Sequence, residues 1–283
     1  MIRSILVPTD FSENAMKASQ YAANIALKSG AIVYLLHVLE PIEDSIRQPF
    51  PLYEKLKGEI ANNRIKEMKT FQNNVVAACP GIKTETVIAK GTITTAILDF
   101  AERQQIELIV MGTKGATGLK VIFMGSVAAG TIGRTKIPVL AVPDEYVFEV
   151  PDGIMFATNH FEENTDLLNK IVDVAKLFSA SIHVAVFVDT DSAEAADYIY
   201  NTRQLNHYLD FLKKAYPDVA FKGELLAGSE FEETIEKYDT KNEVDIIAMI
   251  TYPKSFWERL MKKSATKKMA FHSRIPVLAI SSK

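Results

Sequence analysis

The sequence predicts an α/β protein built from two tandem, doubly wound parallel sheets of five strands each. Three observations carry that expectation. Short, continuously apolar runs alternate with helical patterns, which marks a parallel sheet covered on both faces. The same succession of elements occurs twice. The 283 residues suffice for two domains at about 100–200 residues each.

The first run, Ile2–Val7, reads as a strand. Glu13–Lys28 sets Ala15, Ala18, Tyr21, Ala22, Ile25 and Ala26 on one helical face, with Ser12 as N-cap. Ala31–Val38 is a buried-type strand, and Leu52–Ala78 is a long, polar-rich helix. Strands Thr84–Ala89 and Ile106–Met111 enclose the helix Ile93–Arg103. A helix over Gly125–Arg134 and a strand over Ile137–Val142 complete a βαβαβαβαβ series. Right-handed crossovers wind such a series on both faces of its sheet.

The series then recurs. Ile154–Thr158 resembles Ile5–Thr9, the helix Asp166–Phe178 follows, and Ser181–Val188 matches Ala31–Val38. Val244–Ile250 matches Ile106–Gly112, and Arg274–Ile280 matches Lys136–Val142. From Ile106 onward the offset is constant at 138 residues, without a gap. An internal duplication explains this better than a general likeness among doubly wound folds. It divides the chain into residues 1–143, a linker over 144–150, and residues 151–283.

Composition excludes several classes. Lys and Arg total 32 against 35 Asp and Glu, a net charge of −3, so no global basic field points to nucleic acid. The one cysteine, Cys79, precludes an intramolecular disulfide or a cysteine-based zinc cluster. No run of 18 apolar residues offers a membrane span, and the first apolar run is too short for a signal-peptide core. The expected location is the cytoplasm.

The chemistry concentrates after the fourth strand. Gly112, Gly115 and Gly125 are followed by Ser126, in the spacing Gly, two residues, Gly, nine residues, Gly-Ser. At about 7% glycine usage that spacing arises by chance in roughly 1% of chains of this length, so it is moderately specific. Bare backbone at a strand end admits a ligand closely. Unpaired N–H groups of the helix opening at Gly125 would suit an anion. Ser126 adds a hydroxyl, and Lys114 and Lys120 add positive charge. A turn-and-cap role would explain the same residues without a ligand. Gly125–Thr131 only approaches a P-loop, because the lysine before the threonine is missing. Neither G-x-G-x-x-G nor G-x-S-x-G occurs. Strand one ends in Pro8-Thr9-Asp10-Phe11-Ser12. If strands one and four are neighbours, Asp10 and Gly112 line one crevice, the place where open parallel sheets bind ligands. There Asp10 would accept ribose hydroxyls, hold a hydrated cation, or cap the first helix.

The PTDFS segment, LLHV in strand two, the glycine spacing and the final KIPVLAV together resemble the universal stress protein family, over the whole chain as two copies. The resemblance implies a Rossmann-like fold and, for the first copy, the branch that binds ATP or a related adenine nucleotide with Mg²⁺ or Mn²⁺. It implies that Pro8, Thr9 and Asp10 surround adenine and ribose. Val38 would offer backbone groups to the adenine edge, and Met111 and Gly112 would touch the ribose. Lys114 and Gly115 would border the phosphates, and Gly125, Ser126 and Val127 would hold them. The second copy departs from this pattern. Ile250, Pro253 and Lys263 replace the three glycines, Ser264 keeps the place of Ser126, and Asn159 stands for Asp10. Nucleotide binding in the family manner is therefore expected in the first copy alone.

The five histidines form no metal motif. His37 and His183 are read as core residues at matching positions of the two copies, and His160 lies at the second copy's first strand end. The basic stretch Lys254–Arg274 reads as a solvated helical face, with binding of an anion, a nucleic acid or an acidic partner as the alternative. The loop Pro41–Tyr53, placed to form a flap beside the adenine pocket, and the loop Asp189–Ala196 read as mobile. The family places its final strand at a sheet edge, and exposed edges invite pairing. The two copies are thus expected to form an intrachain pseudo-dimer, with further association of chains open. The expected activity is that of a nucleotide-responsive stress regulator. The alternatives are a slow ATPase or phosphotransfer enzyme and a nucleotide-free scaffold for protein partners.

Overall fold

The computed structural model describes residues 2–40, 51–113, 125–229, 231, 233–234, 237–238, 244–252 and 274–282. The first copy runs β1 (Ser4–Pro8), α1 (Glu13–Ser29), β2 (Ile32–Leu39), α2 (Pro51–Ala78), β3 (Lys83–Lys90), α3 (Ile93–Arg103), β4 (Leu108–Gly112), α4 (Ser126–Ile132) and β5 (Val139–Val142). The second runs β6 (Gly153–Ala157), α5 (Thr165–Phe178), β7 (Ser181–Asp189), α6 (Ala195–Ala215), β8 (Phe221–Gly228), β9 (Ile246–Thr251) and β10 (Val277–Ser281). Sequence patterning anticipates most of these within a few residues. It misses α6 and β8. Helix α6 buries only Leu205, Tyr208 and Leu212, and β8 is exposed along much of its length. Both apolar signals are accordingly thin.

The described strands form one ten-stranded sheet in the order β3-β2-β1-β4-β5-β10-β9-β6-β7-β8. The order reverses between β1 and β4, so the two strands are neighbours, as the crevice requires. Ile5 lies opposite Leu108. Every pairing is parallel except β5 with β10, where Leu140 faces Leu278 in an antiparallel register. The two final apolar strands therefore close each other's edges, and the pseudo-dimer takes the form of one continuous sheet.

Local chemistry accounts for the elements. Ser12 caps α1 by accepting from the Ala15 N–H, and Gly30 ends it in the left-handed region at φ 75°. Asn164 caps α5. Met68, Phe71 and Val75 recur at helical spacing along α2 and are all buried. One apolar cluster fills the face of the sheet beneath α1, α2, α5 and α6, and it includes Val142 of β5 and Leu278 of β10. The core thus crosses the seam between the copies. A second cluster packs α3 and α4 on the other face and reaches Ala279 of β10.

The duplication is also visible in paired details. The Glu107 carboxylate accepts from the Arg3 main-chain N–H and guanidinium. The Asp245 carboxylate, 138 residues on, accepts from the N–H groups of Asp152 and Gly153. Each ties the start of its copy's first strand to the strand beside it.

The histidines do not correspond. Ile5 pairs with Val33 and Ile154 with Ile182, so His37 aligns with Val186 and His183 with Tyr34. The short strings match by eye in a shifted register, and the strand pairing corrects it.

Candidate functional site

Strand ends converge at the reversal point. Past β1, the Thr9 N–H donates to Leu36 O at 2.8 Å, and the buried Thr9 hydroxyl accepts from the Phe11 N–H at 3.0 Å. His37 donates through Nδ1 to Thr9 O at 2.8 Å, since a carbonyl only accepts. His37 is therefore satisfied, though half-buried rather than sealed in the core. The exposed Asp10 carboxylate accepts from the Ser12 N–H at 3.1 Å. Ser12 is the side-chain cap of α1, and Asp10 braces the turn leading into it.

Phe11 holds this turn at φ 66°, a region that costs most side chains energy. Its ring stacks on His37 at 4.4 Å between centroids and meets Phe71 edge-on at 5.8 Å. These aromatic contacts offset the strain and fix the loop that carries Asp10. Neither Phe11 nor Phe71 was assigned a role from sequence: Phe11 is a single aromatic in a turn with no periodicity to reveal it, and Phe71 lies on a helix read as polar-rich.

Val38 lies near the end of β2, beside this loop. Leu36 O accepts from the Thr9 N–H on the β1 side, while Leu39 O accepts from the Gly91 N–H on the β3 side. Alternation along the strand therefore turns the N–H and C=O of Val38 toward the β1 side. Strand β1 has already ended at Pro8, so a donor–acceptor pair of main-chain groups faces the crevice.

Gly112 has a packing role that the sequence reading did not include. A Cβ there would lie 2.3 Å from Asn14 Oδ1 and 2.7 Å from Asn14 Cγ. Asn14 is buried and donates through Nδ2 to Val142 O at 3.1 Å. The packing of α1 on β4 thus by itself requires the missing side chain at Gly112, whether or not a ligand approaches the backbone there. Asn14 was legible as the one amide on a stripe with Ala18, Tyr21 and Ile25, yet that stripe was read through its apolar members.

Gly125 is the N-cap of α4, and its own N–H donates to Thr113 O at 2.6 Å. A Cβ there would come within 3.0 Å of the same carbonyl. The contact pins the start of α4 against the end of β4, leaving Ser126 exposed and Val127 half-buried beside it. Met111 is buried in the cluster beneath α3 and α4. Lys114, Gly115 and Lys120 lie outside the described residues, as do Pro253, Lys263, Ser264, nearly all of the basic stretch Lys254–Arg274, and residues 41–50 of the Pro41–Tyr53 loop. Among the described residues no cluster of three or more His, Cys, Asp or Glu could hold a metal ion, and no helix is long and apolar enough to cross a membrane.

The corresponding crevice of the second copy is furnished with side chains. Asn159, in the place of Asp10, donates through Nδ2 to Phe187 O at 3.1 Å and accepts at Oδ1 from the Phe187 N–H at 3.2 Å. Tyr252 stands where Lys114 does in the first copy. Its hydroxyl donates to Glu162 Oε2 at 2.6 Å, and its ring lies 4.6 Å from that of His160. Burial and the Glu162 carboxylate push the Tyr252 hydroxyl well above its ordinary pKa. Tyr208 donates to Glu162 O at 2.5 Å. His160 belongs to this network.

Known proteins share this sequence pattern and fold. The model of the universal stress protein family matches residues 1–143 and again 152–281. Universal stress protein MJ0531 of Methanocaldococcus jannaschii is 34% identical over 149 residues, covering 50% of this chain and 82% of that protein. MJ0577 of the same organism is 32% identical over 154 residues, covering 50% of this chain and 95% of that protein. A solved universal stress protein from Archaeoglobus fulgidus superposes along the whole molecule with a TM-score of 0.74 at 20% identity, covering 99% of this chain and 98% of that one. The chain belongs to the universal stress protein family, with two copies of the family's unit in tandem.

Proposed function

We propose that the first copy binds ATP or a related adenine nucleotide, and that the chain acts as a nucleotide-responsive stress regulator. The observation that carries this reading is the meeting of three strand ends at the order reversal. There β1 lies between β2 and β4, and on this reading the Val38 main-chain pair, the Asp10 carboxylate and the Gly125-Ser126 turn border one crevice. An adenine edge offers an amino donor beside a ring-nitrogen acceptor, which complements Val38 O and Val38 N–H. Pro8 and Thr9 flank that edge, Asp10 accepts from the ribose hydroxyls, and Met111 and Gly112 lie at the sugar. Lys114, Gly115, Ser126 and Val127 serve the phosphates.

Mg²⁺ or Mn²⁺ would arrive with the phosphates, since the described residues supply no metal cluster of their own. Asp10 is the carboxylate that could hold its hydration shell. A bound cation would neutralise phosphate charge. Among the described residues Asp10 is the carboxylate at this end of β1 and no further base to orient water is evident, so turnover is expected below the roughly 1–100 s⁻¹ of kinases. The division into a nucleotide-binding residues 1–143, a linker and a degenerate residues 151–283 is part of the same reading.

Calorimetric titration with ATP and Mg²⁺ tests it. One nucleotide per chain is expected. Ser126→Ala should weaken binding about tenfold to a hundredfold, the effect of removing a hydrogen bond to a charged group. Failure of the folded wild-type chain to bind adenine nucleotides, or binding of two per chain, would sink the reading.

A further inference from the structure

The two hydrogen bonds between Asn159 and Phe187 have a meaning beyond local packing. Thr9 N–H donates to Leu36 O in the first copy, and Thr158 N–H donates to Ala185 O in the second. Leu36 and Ala185 therefore correspond, and so do Val38 and Phe187, two residues further along. Phe187 turns its N–H and C=O toward the end of β6 just as Val38 does toward the end of β1. In the second copy that pair is engaged by a carboxamide at 3.1 and 3.2 Å.

We infer that the second crevice is closed by an internal mimic of a base edge, with the Asn159 carboxamide occupying the donor–acceptor pair that an adenine-like ring would otherwise take. A carboxamide presents one N–H₂ donor and one carbonyl acceptor, side by side in a plane. That is the complement of one residue's N–H and C=O. The aligned Asp10 cannot act in this way. A carboxylate offers two acceptor oxygens and no N–H₂ donor to set against Val38 O. One exchange of oxygen for an amide nitrogen thus separates an open edge from a self-satisfied one. The closure is independent of the replacement of Gly115 and Gly125 by Pro253 and Lys263, which on the nucleotide reading concerns the phosphate end of the crevice. The hydrogen bonds of Tyr208 and Tyr252 to Glu162 and the ring contact of His160 with Tyr252 use no atom of the carboxamide.

The inference concerns the second copy and does not require nucleotide in the first. Residue-resolved amide exchange on the intact, isotope-labelled chain tests it, with adenosine as probe. In the ligand-free wild type the Phe187 N–H should exchange about tenfold more slowly than the Val38 N–H, the effect of one hydrogen bond. Adenosine should slow Val38 and leave Phe187 unchanged. In Asn159→Ala, Phe187 should exchange about tenfold faster and should then be slowed by adenosine. Asp10→Asn should slow Val38 without any ligand.

Rapid exchange of Phe187 in the wild type would overturn the inference with no variant needed. So would a wild-type Phe187 that adenosine slows as much as Val38, or one that Asn159→Ala leaves unchanged. A Val38 that ignores adenosine defeats the nucleotide reading alone, because the ligand-free comparison of Phe187 with Val38, and of Asn159 with alanine, still stands.

Discussion

Gly112 shows how one residue can satisfy a motif for a reason the motif does not state. The Asn14 amide occupies the space of a Cβ at Gly112, and it is held there by its bond to Val142 O. Gly112→Ala should therefore destabilise the chain by about 1–3 kcal/mol, the usual cost of overpacking a tight core. The loss should appear in urea denaturation without nucleotide. An Asn14→Ser change in the same chain should relieve part of it. If Gly112→Ala is neutral alone, the packing account of this glycine is wrong. His183 supplies a second residue-scale prediction. Burial, assisted by the Lys222 ammonium, lowers its pKa to about 4. Ser181 Oγ meets its Nε2 at 3.0 Å, Tyr238 lies edge-on at 6.4 Å, and Nδ1 has no partner among the described residues. The native state thus keeps the ring neutral while the unfolded chain protonates it near 6.5. Stability from this residue is complete above pH 6.5 and is lost as pH falls toward 4, by at most about 1.4 kcal/mol per pH unit. His183→Phe should flatten that part of the acid-stability profile. An unchanged slope would show that the ring does not set it.

At the scale of elements, the sequence was most informative where burial is complete. Strands β1, β4, β5, β9 and β10 are apolar on both faces, and their runs stand out against polar loops. Helix α6 and strand β8 were missed because water reaches one side of each. The reversal point, with β1 beside β4 and Asp10 at the end of β1, was legible from strand order and spacing, whereas the place proposed for Val38 came from the family resemblance. The packing role of Gly112, the pairing of Gly125 and the Asn159–Phe187 contact were not, since each depends on partners far away in sequence. The segment Asp144–Val150 illustrates the same limit. It reads as a plain linker, yet Phe148 lies edge-on to Tyr21 of α1 at 4.9 Å, and Lys17 donates to Asp144 O. The connection is a strap laid on α1. Phe148→Ala should cost about 0.5–1.5 kcal/mol from the aromatic pair, plus the lost burial of a half-exposed ring. Its denaturant midpoint should fall with an unchanged m-value. A midpoint that does not move would make the segment a passive tether.

For the whole molecule, the question is whether two copies behave as two domains. Tandem folds joined by a small interface melt separately, because neither core depends on the other. Here the seam is a strand pairing between Leu140 and Leu278. The apolar cluster beneath it holds Val142, Leu278 and Ile280 together with helices from both copies. On that same face the Lys28 ammonium of α1 lies 5.4 Å from the centre of the Phe178 ring of α5. Unfolding either copy would strip the other of a sheet edge and of part of its core, exposing unpaired backbone and apolar surface together. The energetic coupling should therefore make the chain melt as one unit, with calorimetric and van't Hoff enthalpies equal. Nucleotide bound in the first copy should then raise that single transition as a whole, by ~2.7 kcal/mol of stability at a hundredfold excess over Kd. Two resolved transitions, of which ATP shifts only one, would show instead that the seam joins two independent folds, and the second copy could not then sense what the first one holds.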